Sequence, residues 1–277
     1  SPVHPDLRGV TRISIIRQEM EDLTLPRAAC TPQIQKVFWA NSTTPEWLHG
    51  PIGFVDLRLS IPPGSTLTLF RGRQVWVHNL RGTLNLVDSS VEALAQVEGE
   101  VRLLNTPCKS AQAIQGRLSQ RFHSYAGTDW SGYQMQRNEV WNCKLEQIQG
   151  EVDLDVGKVE IEAAHLSGKI SIRNRHGTTR FYQRQFLEGD HCRLESCSGE
   201  IRLFLQEELL NQISLTTTTL CGTVQYEGLR DLDRFKQANN FQMIAFAIPA
   251  SASWKDLRNA NFQLKTESGS ITIEKMK

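Results

Sequence analysis

The chain has 277 residues, of which 31 are basic and 30 acidic, so its formal net charge is +1. A hydrophobic fraction of 39% with 22% charged residues is typical of a globular chain and excludes a disordered one. The near-neutral charge predicts neither a nucleic-acid partner nor an anionic membrane surface. No apolar run approaches the roughly 20 residues that a membrane-spanning helix needs. The six cysteines are too sparse for a disulfide scaffold, and they leave the redox compartment and their own pairing open.

Residues 1–70 form the first predicted segment, which we expect to be a strand-rich cap. The stretches TRISIIRQEM (11–20) and GFVDLRLSIPPGSTLTLF (53–70) have the alternation typical of strands, with a turn at Pro62–Gly64. Strands placed here would cover the open edge of the repeat that follows.

From residue 71 to 228 a short motif recurs, in which a glycine is followed by alternating polar and apolar residues. It is clearest as NLRGTLNLVD (79–88), QVEGEVRLLN (96–105) and HLSGKISIRN (165–174). The motif glycines are Gly82, Gly99, Gly116, Gly132, Gly150 and Gly168, spaced by 16 to 18 residues, with later members at Gly199, Gly222 and Gly269. A repeat of this length is too short for a strand plus a crossover helix, so it predicts an all-β solenoid with about 17 residues in each coil.

The positions around the glycine predict which side chains face the core. The second and fourth residues after it are mostly apolar, as Leu84 and Leu86 illustrate, and the first and third are mostly polar. The second residue before it is also mostly apolar, and Cys197 and Leu220 fall in this column. Such alternation indicates a half-buried strand, and we expect each glycine to form a corner that needs positive φ or close approach.

Two stretches interrupt the repeat, and a last motif follows them. Residues 118–141 keep the spacing but are polar, so both a degenerate coil and a loop are open. Residues 229–261 are predicted as a helical or loop excursion. Residues 262–277 return to the strand pattern, and we expect them to close the solenoid.

The repeated [SC]-G-x-[IV]-x-[ILF] units, preceded by LSIPPGSTLTL, resemble the bacterial adhesin-like β-solenoid domain known as the DUF4097 family. The resemblance covers roughly residues 55–226 and 262–275. It implies a right-handed parallel β-helix-like fold and carries no catalytic residues that could be transferred. It also slightly favours a cell-envelope or other extracytoplasmic location over the cytoplasm.

One cluster of basic and aromatic residues is a candidate binding site. The stretch SIRNRHGTTRFYQR (171–184) contains Arg173, Arg175, Arg180, Tyr182 and Arg184. Arginines interleaved with aromatic residues are suited to phosphates, acidic glycans or single-stranded nucleic acid, although a solvated loop explains the same composition.

A catalytic site would require carboxylates that converge on one outward face. If adjacent coils are in register, Glu151 and Asp153 face Lys169 and Ser171, and Asp155 faces Arg173. This arrangement is explained by surface ion pairs, and a polysaccharide lyase or hydrolase is the alternative. The stretch HCRLESC (191–197) offers two thiols and an imidazole, but core packing explains the cysteines without a metal.

These patterns favour a non-enzymatic β-solenoid that binds a protein or glycan surface or builds a scaffold, without a cofactor or metal. The alternative is a carbohydrate-active β-helix enzyme that uses Glu151, Asp153 and Lys169. A third hypothesis, end-to-end assembly in the cytoplasm, is weaker because both ends of the solenoid are expected to be covered. The sequence does not define the ligand or the oligomeric state.

Overall fold

The computed structural model describes residues 11–17, 31–39, 53–61, 63–70, 72–123, 141–185, 187, 189–206, 209, 213–227, 242–245 and 260–276. These residues are almost all in strands or tight turns, without an α-helix among them, and this confirms the all-β prediction. The chain divides into two compact units, Ser1–Arg121 and Phe122–Lys277.

The first unit combines an antiparallel N-terminal part with parallel strands. β1 lies between β3 and the first half of β5 and is antiparallel to both, while β2 is antiparallel to β3. The remaining strands, β4 to β7, are parallel. The strands are β1 (Thr11–Arg17), β2 (Thr31–Trp39), β3 (Gly53–Ile61), β4 (Ser65–Phe70), β5 (Arg73–Val87), β6 (Val91–Leu104) and β7 (Ser110–Phe122).

The motif glycines fix the register of these parallel strands. Gly82 is paired with Gly99, and Gly99 with Gly116, so equivalent positions of the motif lie one above the other. The side chains two residues after each glycine, Leu84 and Val101 among them, are buried, as the alternation predicts.

A ladder of buried polar groups holds the turns between successive strands of the first unit. The backbone N–H of Gly72 donates to Ser89 Oγ at 2.9 Å, and the N–H of Ser89 donates to Thr106 Oγ1 at 3.1 Å. Gln120, whose polarity weakened the motif in the sequence, is 4% exposed and donates to the Thr106 carbonyl at 2.9 Å. Each bond satisfies a backbone group that burial would otherwise leave unpaired.

The second unit contains two ladders of strands. In the first ladder the order is β8, β9, β11, β13, β18, β15, and in the second it is β8, β10, β12, β17, β14, β16. All neighbours are parallel except β14 and β16. The strands are β8 (Trp141–Val156), β9 (Val159–Ala164), β10 (Ser167–Asn174), β11 (Thr179–Gln183), β12 (Asp190–Ser196), β13 (Ile201–Leu205), β14 (Ile213–Thr219), β15 (Thr223–Glu227), β16 (Gln242–Ala245), β17 (Ala260–Thr266) and β18 (Ser270–Lys275).

The order of strands in this unit differs from their order in the sequence. β17 is paired with β12 on one side and β14 on the other, and β18 lies between β13 and β15. The C-terminal strands, which were expected to close the solenoid, therefore form an interior layer. β15 and the β14–β16 pair lie beyond them.

The motif glycines belong to two kinds of corner that the sequence pattern did not separate. In the first kind the bend lies within a strand, except at His165 and Gly168, where it lies between β9 and β10. The residue three positions before the glycine has a left-handed φ between 53° and 57°, and the glycine itself has φ between 103° and 149°. The pairs are Asn79 and Gly82, Gln96 and Gly99, Ala113 and Gly116, Gln147 and Gly150, and His165 and Gly168.

In the second kind of corner, a side-chain oxygen accepts a hydrogen bond from the N–H of the glycine three residues later. These four bonds are between 2.7 and 3.3 Å long, and they join Asn174 to Gly177, Ser196 to Gly199, Thr219 to Gly222 and Thr266 to Gly269. The polar residue is buried here, so the position after it lies on the outside of the corner. Cys197 is half-buried and Leu220 is 45% exposed, which corrects their predicted inward placement.

The predicted boundaries at 1–70, 71–228, 229–261 and 262–277 stay predictions. Within 118–141, residues 124–140 lie outside the described residues, so the choice between a coil and a loop stays open. Within the predicted excursion 229–261, the described residues are Gln242–Ala245, Ala260 and Asn261, and all of them are in strands.

A position can require glycine for two reasons, namely close approach of another backbone or a positive φ. Gly199 and Gly189 each show one of these reasons alone. A Cβ on Gly199, whose φ is not positive, would collide with the carbonyl oxygen of Gly177, whereas Gly189 has φ +89° and open space around it. We expect Gly189→Ala to cost about 1–2 kcal/mol of unfolding free energy through backbone strain. Gly199→Ala should cost more, about 3 kcal/mol or above, because backbone must move.

Urea denaturation of both variants beside the unchanged chain measures these two free energies. An equal loss in the two variants, or a smaller loss in Gly199→Ala, would contradict the role of close approach at the corners.

Candidate functional site

The outward faces of the parallel strands carry charged side chains that neutralise one another. Arg81 Nε lies 3.1 Å from Glu98 Oε2, and Lys109 Nζ lies 2.8 Å from Glu92 Oε2; in both pairs the partners belong to adjacent strand layers. In the second unit, Arg180 contacts Glu160 of the adjacent layer. Three other ion pairs join residues two positions apart in the sequence, namely Lys144 and Glu146, Arg193 and Glu195, and Arg202 and Glu200. Partly exposed pairs of this kind stabilise a protein little, but they remove local excess charge.

Glu100 is the clearest example of this neutralisation. Its two carboxylate oxygens accept hydrogen bonds of 2.8 Å from Nε and Nη2 of Arg102. A second guanidinium, that of Arg117, lies 3.7 Å away. The bond from Arg102 is the main reason that the pKa of Glu100 lies below its usual value, and the two positive charges lower it further. A carboxylate held in this way is poorly suited to act as a general acid.

The acidic and basic residues of the alternative, enzymatic hypothesis are brought into register as expected. Glu151 is paired with Lys169, and their charged atoms are 4.0 Å apart. Asp153 is paired with Ser171. Both carboxylates are half-buried on the outward face of β8.

Asp155 departs from the expected pairing. Its backbone is in register with that of Arg173, but its carboxylate contacts the guanidinium of Arg175 and the imidazole of His123. Asp155 Oδ1 lies 3.5 Å from Arg175 Nε, and Oδ2 lies 3.7 Å from His123 Nε2. The sequence pattern missed this cluster because His123 follows the end of β7 and Arg175 follows the end of β10, where the strand alternation does not apply.

The atoms of this cluster are buried although its side chains are partly exposed. Nδ1 of His123, Nε1 of Trp141, Oδ1 of Asp155 and Nε of Arg175 have no hydrogen-bond partner within the described part of the chain. The ring of Trp141 packs edge-on against Phe122 with centroids 6.2 Å apart. The contact of Asp155 with Arg175 therefore offsets part of the free-energy cost of burying the carboxylate, but it does not give these four atoms a hydrogen bond.

The structure divides the five residues of the predicted binding site between different parts of the second unit. Arg173 is an exposed residue of β10, and Arg175 lies in the corner that follows. Arg180 and Tyr182 lie on the next strand, β11, and Arg184 is exposed just beyond it. Arg173 therefore lies on the second ladder and Arg180 and Tyr182 lie on the first, with Arg175 in the corner between β10 and β11.

Tyr182 belongs to an aromatic pair that the sequence did not predict. Its ring stacks on Phe204 of β13, with centroids 4.4 Å apart and an angle of 7° between the planes. Both side chains are half-buried, on the outward face of the first ladder. The register neighbour of Tyr182 on the other side is Ala164, whose methyl group is too small to cover an aromatic ring. Tyr182 is only half-buried, so part of its side chain is accessible to solvent.

Arginines flank the aromatic pair, but each is already held by carboxylates. Arg180 Nη1 is 3.2 Å from Glu160 Oε2. Arg202 is 2.8 Å from Glu200 and 3.8 Å from Glu274. We call Arg180, Tyr182, Arg202 and Phe204 the aromatic face; it carries no excess positive charge.

The first unit has a shallow groove of about 440 Å³ on the outside of its in-strand corners. The lining consists of residues with left-handed φ and of the residues that precede the motif glycines. The former are Asn79, Gln96 and Ala113, and the latter are Arg81, Glu98 and Gln115; Val97 completes the lining. A groove lined mainly by carboxamides and one ion pair offers hydrogen bonds to an extended polar chain but no strong charge.

Core packing explains three of the five cysteines that the structure describes. Cys108, Cys143 and Cys192 are buried, whereas Cys197 is half-buried and Cys221 is exposed. His191 is exposed while Cys192 is buried, so the alternation of β12 separates the two groups. In the described part of the chain, no three His, Cys, Asp or Glu residues are placed to hold a metal ion.

Comparison of the chain with family models, with curated proteins and with solved structures finds no match. The resemblance to the DUF4097 family therefore stays a prediction. Within the described residues, no helix has both the length and the apolar character that crossing a bilayer requires.

The thiols should differ sharply in their rates of alkylation. Burial raises the pKa of Cys143 to about 12, and burial together with the charge of Asp190 raises the pKa of Cys192 well above its usual value. We expect Cys221 to react first, Cys197 more slowly, and Cys143 and Cys192 only after unfolding, because the thiolate is the reactive form.

Alkylation of the native chain at pH 8, followed by digestion and mass spectrometry, measures each rate. Modification of Cys143 or Cys192 as fast as Cys221 would contradict their placement in the core.

Proposed function

We propose that the chain is a non-enzymatic binding protein, built as a right-handed β-solenoid with coils of about 17 residues. The support for this coil length is the register of Gly82, Gly99 and Gly116, and the parallel ladders of both units fit the same architecture. We also propose, from the motif resemblance, that it is related to the adhesin-like DUF4097 domains of bacteria and acts outside the cytoplasm.

The aromatic face is the observation that carries the binding function. Several outward charges are paired with charges of opposite sign, whereas the stacked rings of Tyr182 and Phe204 form an apolar surface flanked by paired arginines. Flat aromatic rings provide large contact area with little loss of conformational entropy, and they are typical centres of binding surfaces.

The electrostatics of the aromatic face narrow the ligand class. Because Glu160, Glu200 and Glu274 already neutralise both arginines, the face provides no net attraction for a polyanion. We therefore propose a neutral glycan or a protein surface as the partner, with a sugar ring or an apolar side chain stacked on Tyr182.

Substitution of the aromatic face tests this assignment. We expect Tyr182→Ala to weaken binding about tenfold, or ~1.4 kcal/mol, on a panel of immobilised neutral and acidic polysaccharides and protein-coated surfaces. Tyr182→Leu is the matched control for ring stacking, because it keeps an apolar side chain of similar bulk but removes the flat ring. Arg193→Ala, on the other ladder, controls for general loss of surface charge.

Equal binding by the unchanged chain and Tyr182→Ala would overturn the assignment of the aromatic face. Weaker binding by Arg193→Ala than by Tyr182→Ala would place the binding surface on the second ladder instead.

The combined change Glu151→Ala and Asp153→Ala separates the binding protein from a carbohydrate-active enzyme. Since both carboxylates are partly exposed, we expect a loss of less than about 1 kcal/mol of stability and unchanged binding. No release of reducing ends or of unsaturated sugars from the same polysaccharides is expected with either protein. Product formed by the unchanged chain and lost in the double variant would instead establish the enzyme.

A further inference from the structure

The groove of the first unit lies where β5, β6 and β7 bend. At each bend a residue with left-handed φ is followed by a buried apolar residue and then by the residue that precedes the motif glycine. The buried residue faces the core, and the residues on either side of it line the groove in two columns. One column consists of Asn79, Gln96 and Ala113, and the other consists of Arg81, Glu98 and Gln115.

The register of the parallel strands aligns the two columns across three layers. Arg81 is paired with Glu98, and Glu98 is paired with Gln115. Neighbouring strands are about 4.8 Å apart, so three layers extend over roughly 10 Å. The volume of the groove, about 440 Å³, falls within the roughly 300–1,000 Å³ of typical ligand sites. The groove therefore has room for a short segment of an extended molecule.

The lining presents hydrogen-bond donors and acceptors without net charge. Gln96 and Gln115 are exposed, and a carboxamide has two N–H donors and one acceptor oxygen. Nε of Arg81 lies 3.1 Å from Oε2 of Glu98, so these two charges offset each other. A hydroxyl group is also both a donor and an acceptor, so a molecule with many hydroxyl groups matches this lining. A polyanion would be repelled by Glu98 and a polycation by Arg81.

An extended peptide matches the groove less well. Sheets recognise such peptides at an open strand edge, where pockets accept alternate side chains. β6 is the middle strand of the groove, and it is paired on both sides, with β5 and with β7. Val97 is buried and the methyl group of Ala113 is small, so these two apolar residues provide no pocket for a large apolar side chain.

We propose that this groove is a binding site for a neutral oligosaccharide, which lies along the two columns and forms hydrogen bonds to them through its hydroxyl groups. The central contacts are Gln96 and Gln115, whose carboxamides belong to opposite columns. The site belongs to the first unit and is independent of the aromatic face.

Titration calorimetry of the full chain with defined hexasaccharides tests the groove. The neutral probes are hexamers of glucose, mannose and N-acetylglucosamine, and the charged probes are hexamers of galacturonic acid and glucosamine. All variants carry Tyr182→Ala, which removes the aromatic face from the measurement. We expect the Tyr182→Ala chain to bind a neutral hexamer.

The further changes Gln96→Met and Gln115→Met should together weaken this binding about tenfold or more. Methionine keeps a side chain of similar length but lacks the amide donors and the carbonyl oxygen. Gln112→Met is the matched control, because Gln112 is also exposed but does not line the groove.

Ala113→Asn tests the same site through a gain of affinity. Ala113 interrupts the carboxamide column that Asn79 and Gln96 begin, and asparagine tolerates the left-handed φ of this position. We expect a complex that is several-fold tighter, a change that loss of folded protein cannot produce. An unchanged or weaker affinity would overturn the alignment of the oligosaccharide with this column.

Three results would overturn the groove as a glycan site. They are no binding of any neutral hexamer to the Tyr182→Ala chain, an equal loss of binding with Gln112→Met, and tighter binding of a charged hexamer than of the neutral ones. Binding that survives Tyr182→Ala and is lost with Gln96→Met and Gln115→Met assigns the oligosaccharide to the groove. Binding that Tyr182→Ala alone abolishes would assign it to the aromatic face instead.

Discussion

Close approach of backbone to backbone at the corners is the constraint on which the remaining structure depends. At each stacked corner the place of a side chain is taken by the carbonyl oxygen of the layer below, such as that of Gly82 beneath Gly99. Only glycine fits there, and its repetition keeps successive layers in the same register. The buried columns of Leu84, Val101 and their equivalents are continuous because the corners hold that register.

The same register determines the chemistry of the surface. Since equivalent positions lie one above the other, a charged column would repel itself unless its members alternated in sign between layers. The pairs Arg81–Glu98 and Lys169–Glu151 meet this requirement. Arg180 and Arg202 are register neighbours of the same sign, and each is paired with a nearby glutamate instead. A surface organised in this way is neutral over short distances. It can therefore recognise a ligand mainly at the few places where uncharged side chains replace the charged ones. The stacked rings of Tyr182 and Phe204, next to the small Ala164, are such a place.

Much of the fold was predictable from the sequence because the glycine motif reflects two local requirements. The strand needs alternating polar and apolar residues, and the corner needs a residue without a side chain. It identified Leu84 and Leu86 as core residues and placed Glu151 beside Lys169. It did not distinguish the two kinds of corner, since a buried hydroxyl such as that of Ser196 looks polar in sequence but faces inward. The Tyr182–Phe204 pair was also missed, because it joins strands separated by a stretch without regular spacing. The local pattern also does not indicate the order of the layers, in which β17 and β18 lie between β12–β13 and β14–β15.

That insertion has a consequence for a chain made from its N-terminus onward. Strands β14 and β15 end at Thr219 and Glu227, yet the layer that they rest on is completed only at Lys275. At roughly 5–20 residues per second, the ribosome needs roughly 2–10 s to add the intervening 48 residues. During this interval the two strands have no parallel neighbour to pair with, while β8 to β12 can already assemble in order. Residues 260–275 thus determine when the second unit becomes complete, because β14 and β15 can join the parallel ladders only after this layer is in place.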